Sequence, residues 1–104
     1  MVSEFTRETF QFLKNHVEER RPFTYGEVAQ AVGGMALGMW QPLWKIWQFC
    51  DEHNLPQLNA LVVNQDTGLP GDGFTPSGRP VSRAQWEQIC NQVWSFDWSN
   101  IEIR

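Results

Sequence analysis

Cysteine is scarce in this chain: Cys50 and Cys90 are the only thiols in 104 residues. Two are too few for a disulfide scaffold, and neither stands in a C-x-x-C pair. Both lie among apolar residues, where an unpaired thiol behaves as a small hydrophobe. Cations are few as well. Eight Lys and Arg against twelve Asp and Glu leave a formal charge of -4, which excludes capture of nucleic acid or an anionic membrane by a polybasic arm. No run approaches the ~20 apolar residues of a membrane span. Glu4 and Glu8 fall where a secretory leader needs an apolar centre, so the expectation is a reduced, cytoplasmic protein with no membrane partner. Repeats and low-complexity tracts are missing, and the length suits one domain, since two would each be too small to bury a core.

Aromatics, in contrast, are abundant: six Trp and seven Phe, and their periodicity locates the elements. Over residues 3–20, Val2, Phe5, Phe10, Phe12, Leu13, His16 and Val17 share one face of a 3.6-residue repeat, which predicts an amphipathic helix ended by Pro22. His16 falls within that face and reads as a core histidine hydrogen-bonded to a neighbour. Thr24-Tyr25-Gly26-Glu27 matches a capping box and opens a short helix over 25–32, with Val28, Ala29 and Val32 inward and Gly33-Gly34 as the stop. A third helix is expected over 40–53. Trp40, Trp44 and Trp47 form a stripe there, flanked by Leu43, Ile46 and Cys50. A helix apolar over so much of its circumference should be central and covered on several sides, so the stripe reads as core.

Residues 58–64 hold Ala60-Leu61-Val62-Val63, short, apolar and partly β-branched, which predicts a buried strand. Residues 68–80 form a glycine- and proline-rich loop without the G-K-[ST] ending of a phosphate cradle. Ser82-Arg83-Ala84-Gln85 is a second capping box, opening a helix with Trp86, Ile89, Cys90, Val93 and Phe96 inward and Trp94 at the edge. Trp98, Ile101 and Ile103 suit an extended tail or short strand. The order is α-α-α-β-loop-α, a small α+β domain of winged-helix or helix-turn-helix character.

Residues 22–74 resemble the DNA-binding domain of the O6-alkylguanine-DNA alkyltransferases and the alkyltransferase-like proteins. The likeness is carried by Thr24-Tyr25-Gly26-Glu27-Val28-Ala29 through Gly33-Gly34, then by Asn54-Leu55-Pro56, Val62-Val63 and the glycines that follow. With Val62-Val63 set on the family's valine pair, Asn59 stands at the nucleophilic cysteine, Ala60 at the histidine and Leu61 at the arginine. Alkyl transfer needs a thiolate and a proton acceptor, so that chemistry is not expected here. The resemblance implies a non-catalytic nucleic-acid-binding module. Thr24, Tyr25, Lys45, Arg20, Arg21, Arg79 and Arg83 would contact phosphate, and Asn59, Leu61, Asn64, Gly71 and Phe74 would shape a pocket.

Two alternatives stand beside it. If the edge tryptophans Trp40, Trp94 and Trp98 cannot all fit within a small core, an exposed patch marks a protein partner or a homodimer surface. An enzyme is the weaker one. Asp66 and Asp72 suit turn chemistry, and Cys50 with His53 supplies two metal ligands where zinc needs three or four. No cofactor and no metal are implied.

Overall fold

The computed structural model describes residues 2–35, 38–70 and 82–103. Among the described residues four helices carry the fold: α1 (Glu4–Asn15), α2 (Tyr25–Val32), α3 (Trp40–Glu52) and α4 (Arg83–Ser95). Two short strands, β1 (Phe23–Thr24) and β2 (Val62–Val63), pair in parallel, Phe23 opposite Val62 and Thr24 opposite Val63. This is an α+β arrangement. α1 is its hub, packing on α2, on α3 and on the 3-10 turn Leu58–Leu61, while α4 covers that turn from another side.

Three helices begin as their side chains dictate. Ser3 accepts from the Thr6 amide at 3.1 Å, and Glu4 follows in the first turn of α1. Both capping boxes form in full: Thr24 with Glu27 at the start of α2, Ser82 with Gln85 at the start of α4. Gly33 ends α2 in the left-handed region at φ 79°, where its amide reaches the Ala29 carbonyl and where a Cβ is costly.

α1 departs from expectation at its end and on its inner face. It stops at Asn15, a 3-10 turn covers Val17–Glu19, and Arg20 turns the chain in a left-handed conformation at φ 52°. Pro22 disfavours helix at the preceding residue, and the chain must reverse to lay β1 beside β2. His16 therefore caps the helix. It is half-buried at the rim, with Nδ1 2.7 Å from the Phe12 carbonyl and its ring against Phe12 and Phe23. The buried face carries Thr6, Thr9, Phe10 and Leu13, leaving Phe5 and Phe12 half-buried. The threonines are tolerated because their hydroxyls are satisfied locally, Thr9 donating to the Phe5 carbonyl at 2.9 Å and Thr6 lying 3.0 Å from the Ser3 hydroxyl.

The strand expected over 58–64 is half turn. Leu58–Leu61 coil as a 3-10 segment, and only Val62 and Val63 are extended. Pairing is limited by β1, which is bounded by Pro22, without an amide hydrogen, and by Thr24, already committed as the cap of α2. In the tail, no strand forms among the described residues. Instead Trp98 folds back, its Nε1–H donating to the Val93 carbonyl at 2.9 Å, and Lys14 holds the Ile101 carbonyl at 2.8 Å. Ile103 ends buried in the core.

α3 has one buried face, made of Pro42, Leu43, Ile46 and Cys50. It is not the covered central helix that its composition suggests; α1 takes that place. No described helix is long and apolar enough to cross a membrane.

Candidate interaction surface

The tryptophan stripe of α3 points outward. Trp40 is 69% exposed and Trp44 39%, with Trp47 half-buried. Four residues on the inner face, about one per turn, anchor the helix, and the tryptophans fall on another side. Trp44 and Trp47 stack face to face, centroids 5.0 Å apart and planes 12° from parallel. Met35, which nothing in the sequence singled out because it lies outside any periodic segment, is 75% exposed just before the helix. The surrounding chain is poor in acid. Between Glu27 and Asp51 there is no carboxylate, and Lys45 is the one charge. α3 also starts without a side-chain cap, unlike the other three helices, each capped by a hydroxyl, and it has no acidic residue in its first turn.

The other proposed edge positions differ. Trp98 is 4% exposed, a core residue set edge-on against Phe10 and Phe96. Trp94 is half-buried, with its Nε1–H enclosed and unpaired. Of the three edge tryptophans, only Trp40 is open.

The candidate phosphate contacts divide among elements. Arg21 and Thr24 both meet Glu27 at the start of α2, which Tyr25 opens, while Arg20 ends the preceding 3-10 turn and is exposed. Arg21 is already engaged, its guanidinium 3.0 Å from Glu19, 3.4 Å from Glu27 and 4.1 Å over the Phe23 ring. The Glu19 hydrogen bond, ahead of Glu27, raises its pKa further. The Thr24 hydroxyl is taken by the Glu27 amide. Tyr25 is half-buried against the core. Arg83 heads α4, donates to the Thr67 carbonyl at 3.4 Å and lies near the Trp86 ring. Lys45 is exposed on α3, apart from that corner.

Of the pocket residues, two are core. Leu61 is fully buried and Asn59 is 6% exposed, its Oδ1 without a hydrogen-bond partner. Asn64 is half-buried and shapes a turn, its Oδ1 accepting from the Asp66 amide at 2.8 Å. Gly71, Phe74, Asp72 and Arg79 lie outside the described residues.

Cys50 and Cys90 are buried and unpaired. Burial pushes their pKa values up to about 11 and about 12, the wrong direction for a nucleophile. Among the described residues no three His, Cys, Asp or Glu side chains converge as metal ligands. No protein family, curated protein or solved structure was found to match the chain.

Proposed function

We propose that this protein is a non-catalytic interaction module that presents the tryptophan face of α3 to a protein partner. The observation that carries this reading is the exposure of Trp40 and Trp44, in a molecule that encloses most of its other described large apolar side chains. Exposed tryptophan is costly in water and is the residue most often found at the energetic centre of protein interfaces. Absence of catalysis fits Asn59-Ala60-Leu61, a buried amide, methyl and isobutyl group with no ionisable atom, and fits two thiols held protonated. Unpaired buried thiols suit a reducing compartment such as the cytoplasm.

Acrylamide quenching of tryptophan fluorescence in dilute protein is the direct test. Two accessible tryptophans are expected, and both should vanish in Trp40→Phe/Trp44→Phe. If quenching of the dilute protein is uniformly weak and unchanged in that variant, the face is not open and the reading fails.

A second reading is nucleic-acid binding in the manner of the alkyltransferase-like proteins, on a winged-helix-like scaffold. It is favoured by Arg21, Thr24 and Tyr25 at the start of α2, with Arg20 just before them in the chain, where a phosphate would face the positive end of a helix. Titration with plain and lesion-bearing duplex at low salt tests it. Micromolar binding that weakens steeply with salt and is lost in Arg20→Ala/Tyr25→Ala supports it. No binding at tens of micromolar ends it.

A further inference from the structure

We infer that the partner of the α3 face is a second copy of this chain, docked antiparallel about a two-fold axis that crosses the outer side of α3 at the level of residues 45–47. This rests on the interaction reading above and commits it to one occupant. Two stripes run along the outer side of α3. Trp40, Trp44, Trp47 and Asp51 form the first; Gln41, Lys45, Gln48 and Glu52 form the second. Both have the spacing 4, 3, 4, which reads the same in either direction.

That palindrome lets each stripe face itself across a two-fold axis, in which a residue i of one copy that meets j of the other is matched by j of the first meeting i of the second. For antiparallel helices the axis sets each stripe against itself. Trp44 then meets the partner's Trp47 twice, Trp40 meets the partner's Asp51, Gln41 meets the partner's Glu52, and Lys45 meets the partner's Gln48. The two registers centre on neighbouring positions, about 1.5 Å apart along the helix, within the slack of side-chain packing.

Charge agrees with this register. No like pair is opposed. The carboxylates Asp51 and Glu52 of one copy lie over the start of the other's α3, the helix that lacks both a side-chain cap and an acidic first-turn residue and whose positive end they complement. Lys45 makes no hydrogen bond or ion pair with any described residue and stands one turn from that point. The exposures fit: Trp40, Gln41, Trp44, Lys45, Asp51 and Glu52 are all exposed, and Trp47 and Gln48 half-buried. A single-stranded nucleic acid would also stack on indoles, but one lysine in a chain of charge -4 neutralises too little phosphate.

A contact between two 13-residue helices, each about 20 Å long, lies at the small end of specific interfaces, so the dimer is concentration-dependent. Sedimentation velocity of the whole chain from 5 to 500 µM should show a monomer–dimer equilibrium within that range. Trp40→Ala/Trp44→Ala, altering exposed positions, should stay folded by circular dichroism and remain monomeric. Position 41 reads the register. Gln41→Lys, facing the partner's Glu52, should tighten the dimer about fivefold because the pair occurs twice, and Gln41→Glu should weaken it by a similar factor, both effects fading in high salt.

A monomer at 500 µM overturns the inference, as does a dimer indifferent to the tryptophan substitutions or one that Gln41→Lys and Gln41→Glu shift alike. Tryptophans that are open to quencher in such a monomer leave the interaction reading standing with another partner. Tryptophans shielded in the dilute monomer remove both.

Discussion

At the scale of the residue, the six tryptophans divide by what their ring nitrogens meet. Trp86 sends its Nε1–H into the core to the Ala60 carbonyl at 2.8 Å. Trp94 encloses its Nε1–H with no acceptor. A buried hydrogen bond contributes about 1 kcal/mol, whereas an enclosed donor without a partner costs about 1–3 kcal/mol. Trp86→Phe is therefore expected to destabilise by about 2 kcal/mol, and Trp94→Phe to leave stability unchanged or raise it slightly, both read from urea midpoints at constant m. Equal losses in the two variants would refute the distinction. A second contrast separates packing from partner contact. Trp98→Ala, at 4% exposure, should cost about 3–5 kcal/mol. Trp40→Ala should shift stability by no more than about 0.5 kcal/mol in dilute protein.

At the scale of the element, α2 depends on its capping box and, through it, on pH. The Thr24 amide, donating to Glu27 at 3.1 Å, lowers the Glu27 pKa more than the Arg21 contact does. A carboxyl whose folded pKa lies below its unfolded value near 4.3 adds stability above that value and loses it as pH falls through the folded one. Glu27→Gln should therefore be less stable than the wild type at pH 7, with the gap closing between about pH 5 and pH 3. A gap that is constant over that range would show the carboxylate charge to be irrelevant. Thr24→Ala should cost about 1 kcal/mol at pH 7. Such elements are legible in sequence because their partners lie within three residues of each other: Thr24 with Glu27, Ser82 with Gln85, Gly33 after Val32. The orientation of α3 is not. With Trp40, Trp44 and Trp47 on one side and Leu43, Ile46 and Cys50 on another, periodicity offers two apolar faces. The choice between them is made by what α1 and the 58–61 turn present, contacts distant in sequence. His16 and the half-formed strand differ from expectation for the same reason, since Pro22 and the length of β1 set their fate from outside the segment.

At the scale of the whole molecule, the two thiols tie core burial to alkaline stability. Cys50 faces the core from α3 and Cys90 from α4, both fully enclosed, so neither can ionise without opening the packing around it. Desolvation is the main cause of both raised values, about 11 and about 12, against about 8.5 for a free thiol. In the unfolded chain the thiols begin to ionise near pH 8.5. In the folded chain they do not until about pH 11 and about pH 12. The unfolded state gains from each unit of pH in that window and the folded state does not, so stability should be level up to about pH 8 and then decline toward pH 11. Urea midpoints measured across that range supply the check. The double variant Cys50→Ala/Cys90→Ala should begin lower at pH 7, because it leaves small cavities, yet decline less steeply above pH 8.5. A thiol reagent such as Ellman's gives the companion reading: at pH 8 both cysteines should react only as fast as the core opens, and at the free-thiol rate in denaturant. An alkaline decline identical in the double variant would place its cause in other groups and show that the thiols titrate alike in the folded and unfolded chain.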